Sequence, residues 1–528
     1  MPAQSVRDLF PVLKPRRLNR ALASLVQTTV VLATLAACSG GDSPTGPGEP
    51  PTPPPPPPPP VTFTVPAIER EFRGMWIATV ANIDWPTRAD LTAAQQQTEM
   101  NVLLDAAVAA GLNAVVVQVR PAGDVIYPST LEPYARSLTG VQGQGPGYDP
   151  LGYIVQQARQ RGLEVHAWFN PFRAGNLRDT LTMSPQHFSV RRPDLVRKCG
   201  QLWFDPGENA VHDQAIAVIR EVIAKYNIDA VHIDDFFYPY PETCSNFPDS
   251  ATYRRYQTGG GTLSLNDWRR DNVNRFVDRM YRESHEQRST VRVGISPFGI
   301  WRPGNPPGIT GLDAYTSIFA DSRLWLQRGW VDYFAPQLYW SIASTGQSFP
   351  ALLAWWGQQN TQRRHLWPGL ASYRIGADPG PFSPTEIPNQ IQLIRSGATT
   401  PGAATGSILY NGSSVRNNRG GFATALAGGL YANGAIPPAS PWLGNTPPSA
   451  PGMSVNPGML ATQVIINPAG SDAWWWLVRW RRAGTWRQRL VPGTQLQVNI
   501  DAIGLEGIVV NAIDKTGNAS ADVVWRPS

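Results

Sequence analysis

Eight short apolar segments alternate with eight amphipathic helical stretches between Phe72 and about Leu430. This alternation predicts a (β/α)8 barrel, the TIM-barrel architecture, followed by a small all-β sandwich. Three observations carry the prediction. The apolar segments are of strand length and the stretches between them have helical periodicity. No Gly-rich phosphate loop follows the first strand, which argues against an open doubly wound sheet. Beyond a Pro-, Ser- and Gly-rich stretch at Asn445, the chain turns to short Trp-rich strands.

The expected strands are FRGMWIATV from Phe72, NAVVVQVR from Asn113, LEVHAWFN from Leu163 and DAVHIDD from Asp229. They continue with VRVGIS from Val291, VDYFAPQL from Val331, HLWPGLA from His365 and GSILYN from Gly406. Helices are expected over Leu91–Ala110, Pro150–Arg161, Ala210–Tyr226, Leu265–Ser284, Asp321–Arg328, Phe349–Gln359 and Glu386–Arg395, with Val415–Leu430 closing the series. After the linker, QVIINP, WWWLVRWRR, WRQRLVP, LQVNI and GIVVNAID suit a β-sandwich that resembles a fibronectin type III-like domain. Of its Trp474, Trp475, Trp476, Trp480 and Trp486, alternate side chains are expected to fill the core, with Arg479 and Arg481 facing water. The rival reading is a sugar-binding face.

The front of the chain has a different character. Arg7, Lys14, Arg16, Arg17 and Arg20 against Asp8 place four of the six net positive charges ahead of residue 38, so the basic balance is no nucleic-acid footprint. An uncharged stretch from Ala21 to Ala37 follows, a secretory signal pattern ending in Leu35-Ala36-Ala37-Cys38-Ser39-Gly40, which resembles a bacterial lipobox. Cys38 is therefore expected to carry a lipid, and Ser39 rather than Asp favours outer-membrane retention in a cell with two membranes. The proline run Pro53–Pro60 reads as a polyproline II stalk. The expected organisation is a lipoprotein signal peptide (1–37), a Pro-rich linker (38–65), the barrel (66–440), a short linker (441–451) and the sandwich (452–528). Cys199 and Cys244 remain, and sequence alone leaves their pairing open.

In a (β/α)8 barrel the chemistry sits at the C-terminal ends of the strands. Those ends read Asn82-Ile83-Asp84-Trp85-Pro86, Arg120-Pro121-Ala122-Gly123-Asp124, Asn170-Pro171-Phe172-Arg173, His232-Ile233-Asp234-Asp235-Phe236, Ser296-Pro297-Phe298-Gly299 and Gln337-Leu338-Tyr339-Trp340. Side chains alternate faces along a strand. On the third strand His166, Trp168 and Asn170 oppose Val165, Ala167 and Phe169; on the fourth, His232 and Asp234 oppose Val231 and Ile233. The aliphatic sets should meet the outer helices and the polar sets the barrel mouth. Asp235 has the opposite parity unless the strand breaks there.

Glycoside hydrolysis requires paired carboxyl groups, and an inward acidic pair among aromatics suits it. Asp234 and Asp235 are the expected catalytic residues, the first choice for the acid/base position, with Asp84, Asp124 and Asp205 as candidates for the second carboxylate. Arg120, Arg173, Asn170, His166, His232 and Gln337 are expected to orient groups or grip sugar, and Trp85, Tyr339 and Trp340 to stack on pyranose faces. No His-x-His or His-Glu-x-x-His spacing suggests a metal, no Gly-x-Ser-x-Gly elbow a serine esterase, and no cofactor is implied.

The segments FRGMWIATVANIDWP, QVRPAGDVIYPS, HAWFNPFR, WFDPG and HIDDFFYP together resemble the glycosyl-hydrolase-like 10 family of bacterial barrel proteins over about residues 66–430. The resemblance implies a secreted or lipid-anchored glycosidase, with a branch acting on peptidoglycan strands stripped of peptide. It places Asp234 and Asp235 in the active site and Arg120, Asp124, Asn170, Arg173 and Asp205 in the cleft, leaving open which carboxylate is the acid. The expected function is hydrolysis of cell-wall glycan or a related amino-sugar polysaccharide, by a protein held to the outer membrane or cell surface through Cys38. The alternative is a non-catalytic, wall-binding lipoprotein.

Overall fold

The computed structural model describes residues 63–378, 380–470 and 473–527. The signal, lipobox and proline-run expectations lie outside the described residues.

The barrel strands are β1 (Phe72–Ile77), β2 (Ala114–Arg120), β3 (Glu164–Phe169), β4 (Ala230–Ile233), β5 (Arg292–Ile295), β6 (Tyr333–Phe334), β7 (His365–Leu366 and Gly369–Leu370) and β8 (Gly406–Leu409). All pair in parallel, in chain order. Pro368 breaks β7 into two short pieces: the first pairs with β6 and the second with β8, while β8 pairs with β1, so the sheet closes on itself. The helices between strands are α1 (Ala93–Ala109), α2 (Pro150–Gln160), α3 (Asn209–Lys225), α4 (Leu265–Gln287), α5 (Ser322–Arg328), α6 (Phe349–Gln359), α7 (Glu386–Gly397) and α8 (Phe422–Gly428). Most begin where the sequence supplies a cap: Thr92 makes a capping box with Gln95, Asp149 precedes Pro150, and Ser264, Asp321 and Ser348 each accept a backbone N–H of the first turn.

Every residue of β1 to β4 is buried, as a parallel sheet covered on both faces requires. Inside the barrel, Phe72, Trp76, Val116, Trp168, Tyr333, Trp367 and Ile408 form one cluster. The Tyr333 ring passes so close to β5 that a Cβ on Gly294 would meet it at 1.9 Å, so only glycine fits there. After β3, the segments Arg173–Gly175, Val196–Cys199 and Gln201–Phe204 form a small antiparallel sheet beside the mouth. The Cys199–Cys244 disulfide ties this sheet to the loop after β4.

The C-terminal strands form two antiparallel sheets. One contains β9 (Gly452–Asn456), β10 (Ala461–Asn467) and β13 (Gln497–Asp501). The other contains β11 (Trp475–Arg482), β12 (Thr485–Pro492), β14 (Leu505–Ile513) and β15 (Val523–Trp525). Val464, Ile466, Trp476, Val478, Val498, Ile500, Ile508 and Val510 fill the space between them, and Trp480 packs on that core. The opposite face of the second sheet is not a sugar platform. Trp475, Leu477, Leu490 and Ile513 pack with Ile436 and Ile68 against the N-terminal end of the barrel. Trp474 donates its indole N–H to Asp229 just before β4 (2.7 Å) and lies under the Arg159 guanidinium, 3.5 Å from the ring centre. The expectation that Arg479 faces water is corrected: it is buried on Pro66 O, Asn511 and Asp522, because its face of the sheet is covered.

Candidate active site

Strand β4 ends at Ile233, and the next two residues leave the ladder. The break removes the parity objection to Asp235: both acids face the same polar centre, 6% and 5% exposed. Asn170 Nδ2 donates to both oxygens of Asp234 (2.7 Å each), joined by Trp168 Nε1 (3.2 Å) and the Phe236 backbone N–H (3.2 Å). The orientation of Asn170 is itself imposed. The backbone N–H groups of Thr79 and Val80 donate to Gln118 Oε1, so Gln118 must present Nε2 to Asn170 Oδ1 (2.7 Å), which turns Nδ2 toward Asp234. Asp235 takes the Tyr240 hydroxyl and the Gln337 side chain as partners.

Burial raises both carboxyl groups above the ordinary range, and the Asp235 charge raises Asp234 further, while Asn170 and Arg173 oppose the shift; Asp234 is pushed up to about 7. The two titrate as a pair, so near neutral pH they share a proton. Arg173 lies over the Phe236 ring, 4.9 Å from its centre, and interacts electrostatically with Asp234, Asp235, Asp124 and Tyr410. Its guanidinium has no hydrogen-bond partner among the described residues. Asp124 accepts Gln142 Nε2 on one oxygen (2.8 Å), and its buried Oδ1 has no partner. A free cationic fork and an orphaned acceptor beside an acid pair are a polar lining ready for hydroxyl or anionic groups.

Aromatic rings surround this centre. Phe236, Tyr240, Phe298 and Trp340 follow one another edge to face at 5.6–6.3 Å. Tyr339, Tyr373 and Tyr410 group together, with Trp76 against Tyr410. Gln337, Tyr339 and Trp340 are partly exposed there.

Several residues expected in the cleft instead hold the scaffold. Asp84 is buried, accepting Ala78 N–H and Ser413 N–H, and so joins the end of β1 to the loop after β8. Trp85 is wholly buried and donates to Gln96 O on α1, so no sugar can stack on it. Arg120 forks onto Glu132 and caps the carbonyls of Asn170 and Pro171. Asp205 is buried between Thr252, Arg197 and the Gly207 N–H. His166 and His232 are buried inside the barrel. Trp76 Nε1–H donates to His232 Nε2, which leaves His232 Nδ1–H to donate to Tyr333, the Tyr333 hydroxyl to His166 Nδ1, and His166 Nε2–H to Glu164. Burial lowers both imidazoles, His166 to about 3, so they are neutral structural groups.

Trp168, Gln118, Tyr240, Phe236 and Tyr410 were not among the expected site residues. Strand parity carried a signal for Trp168 and Gln118, which share faces with Asn170 and Arg120. Phe236 stands in the acidic motif itself, Tyr240 directly follows it, and Tyr410 directly follows β8.

The description of the family glycosyl hydrolase-like 10 matches residues 71–382. Glycosyl hydrolase YngK of Bacillus subtilis (strain 168) is 40% identical over 394 residues, covering 72% of this chain and 76% of the relative. Glycosyl hydrolase DigH of Escherichia coli (strain K12) is 35% identical over 334 residues, covering 59% of this chain and 75% of the relative. Among solved structures, the PgaB (BpsB) glycoside hydrolase domain from Bordetella bronchiseptica aligns with 68% of this chain and 98% of its own, at 14% identity and a TM-score of 0.48. The family match spans most of the barrel and all of its acidic pair, and the chain belongs to the glycosyl hydrolase-like 10 family of glycoside hydrolases.

Proposed function

We propose that this protein hydrolyses glycosidic bonds in bacterial cell-wall glycan, namely peptide-free peptidoglycan strands or a related amino-sugar polysaccharide, with Asp234 and Asp235 as its catalytic carboxyl groups. The observation that carries the reading is the acidic pair itself. It is buried enough to share a proton near neutral pH, and it stands among partly exposed aromatic rings and the unpartnered donors of Arg173. Asn170 positions Asp234, Gln337 and Tyr240 position Asp235, and Tyr339 and Trp340 supply stacking surface. Arg173 and the free oxygen of Asp124 would grip sugar substituents, and an anionic lactyl group suits the former.

The location follows from the sequence: export through residues 1–37, lipidation at Cys38 and retention at the outer membrane facing the periplasm or the cell surface. A purely wall-binding role has less support, because Trp474, Trp475 and Trp476 are occupied by the barrel or by the sandwich core.

The test is mass spectrometry of the products released by the full-length protein from purified, peptide-free glycan strands. Short saccharides, abolished by Asp234→Asn and by Asp235→Asn, are expected. Binding without release by the wild type, or full activity in both variants, refutes the proposal. Changing Cys38 to Ala should move the protein from the membrane to the soluble fraction, and unchanged fractionation removes the anchor from the reading.

A further inference from the structure

Three turns meet at one end of the sandwich. The β9–β10 turn (457–460), the β11–β12 turn (483–484) and the β13–β14 turn (502–504) are joined by backbone hydrogen bonds. Ala502 N–H donates to Leu460 O (3.0 Å) and Ala483 N–H to Gly504 O (3.1 Å). These turns carry Met459, Leu460 and Ile503, which are 95%, 78% and 65% exposed. A single exposed aliphatic side chain is ordinary. Here three of the four most exposed large apolar side chains among the described residues stand together, and grouping of that kind marks a contact surface. The sandwich core does not use them; it draws on the strands behind, at Val464, Ile500 and Ile508.

The carboxylates at this end are neutralised. Asp501 is held by Arg482 (2.9 Å) and Glu506 by Arg481 (3.0 Å). Arg487 and Arg489, exposed on β12 behind the tip, form no ion pair among the described residues. An apolar tip backed by cations suits a surface of anionic lipid.

The tip also lies where a tether would bring it to a bilayer. Strand β11 begins at Trp475, packed with Ile436 against the barrel, and ends at Arg482 beside the turns. The lead-in to the barrel follows the same strand. Ile68 packs with Trp475 and Leu477, and Pro66 O accepts Arg479, three residues or ~10 Å short of Arg482. The chain ahead of Pro66 is therefore rooted on the flank of the sandwich. From Cys38 to Val65 there are 28 residues, which can reach at most roughly 100 Å. A tether of that length does not by itself fix how the enzyme faces the bilayer. It does make a second contact intramolecular, so that a weak one suffices.

We propose that the tip formed by Met459, Leu460 and Ile503 is a membrane-docking surface that enters the headgroup region of a bilayer containing anionic phospholipid. This goes beyond glycan cleavage and takes only the anchor at Cys38 from the reading above. Docking places the sandwich between lipid and barrel, and the carboxyl pair then opens away from the membrane, at the other ends of the barrel strands.

The experiment puts an environment-sensitive fluorophore on one introduced cysteine of the mature full-length protein. The probe site is Met459→Cys, and the control is Leu181→Cys, 95% exposed in the segment after the small sheet beside the mouth. Cys199 and Cys244 are paired, and wild-type protein labelled in parallel is the blank. With vesicles of phosphatidylethanolamine and phosphatidylglycerol, emission from position 459 should shift to the blue and be quenched by spin-labelled lipid, while that from position 181 should not change. Phosphatidylcholine alone should give a smaller shift. Leu460→Asp combined with Ile503→Asp should lower the docked-to-free ratio ~10²-fold, because each change withdraws an aliphatic side chain from the lipid. The melting temperature should stay unchanged, since neither side chain belongs to the core. An unshifted probe at 459 overturns the proposal whatever the state of Cys38, and so do equal shifts at 459 and 181. A shift at 459 without vesicles, with a dimer in sedimentation, assigns the tip to a second copy and also overturns it. Saccharide release by the same labelled protein reports on the proposed function separately, so the two can fail independently.

Discussion

Replacing Asp234 with Asn should stabilise the protein at alkaline pH while abolishing its activity. Burial and the Asp235 charge push the Asp234 carboxyl from about 4 to about 7. A group whose folded value is raised holds its proton longer in the native state than in the unfolded chain. The associated stability is therefore full below about pH 4, declines as the pH rises towards 7, and stays lost above it. Three units amount to roughly 4 kcal/mol. Asn carries no charge but sets an amide N–H against one of the three donors, which returns about 1–2 kcal/mol. The balance at pH 8 is about 2–3 kcal/mol in favour of the variant. A chain of this length unfolds with an entropy that converts each kcal/mol into about 1 °C. Melting curves of both proteins from pH 4 to 9 supply the assay, because the difference between them cancels every other titrating group. The variant's advantage should grow by ~4 °C across that range and flatten above pH 7. A difference independent of pH, or a variant equally weakened at pH 5 and pH 8, would refute the claim that the site stores an unfavourable charge.

Asn170→Ala removes the side chain that opposes the upward shift of Asp234, so the limb of the pH–rate profile that follows its ionisation should move to higher pH while kcat falls ~10²-fold; an unmoved limb contradicts the assignment. Trp474→Ala strands the Asp229 oxygen and the Arg159 guanidinium, and should cost up to about 3 kcal/mol in thermal stability with glycan cleavage at 25 °C within twofold of the wild type. A large loss of activity would mean that the sandwich contributes to the site. Cys244→Ser opens a loop whose ends are 45 residues apart, and chain entropy sets the loss at about 4 kcal/mol, read as a lower melting temperature that reductant no longer changes.

Much of the barrel was legible in the sequence because its signals are local. Periodicity and caps located helices such as Phe349–Gln359 to the residue. Parity separated His166, Trp168 and Asn170 from their aliphatic neighbours, and so pointed Asp234 inward. The ladder at VDYFAPQL is shorter than expected, because Pro336 has no N–H to donate and only Tyr333–Phe334 pair regularly. Trp367-Pro368 cuts β7 in the same way, and the cut produces the closure of the sheet. What could not be read was the division of the acids and bases into scaffold and site. Asp84 and Asp234 both follow strands and both are buried. Asp84 is structural because Ser413, 329 positions away, brings its N–H to it, a contact no local pattern announces. The same holds for Glu132 with Arg120, for Tyr333 with the two histidines, and for the pairing of Cys199 with Cys244.

The segment leading into β1 is fixed beside the sandwich, with Arg70 bridged to Ile436 and Pro66 bound by Arg479. The lead-in, the indole wedge and the trailing module are thus all gathered beneath the enzyme, on the side away from the carboxyl pair. The mouth that holds the carboxyl pair is therefore left clear by the lead-in from Pro66 onward and by the sandwich alike, both of which pack at the opposite end of the strands.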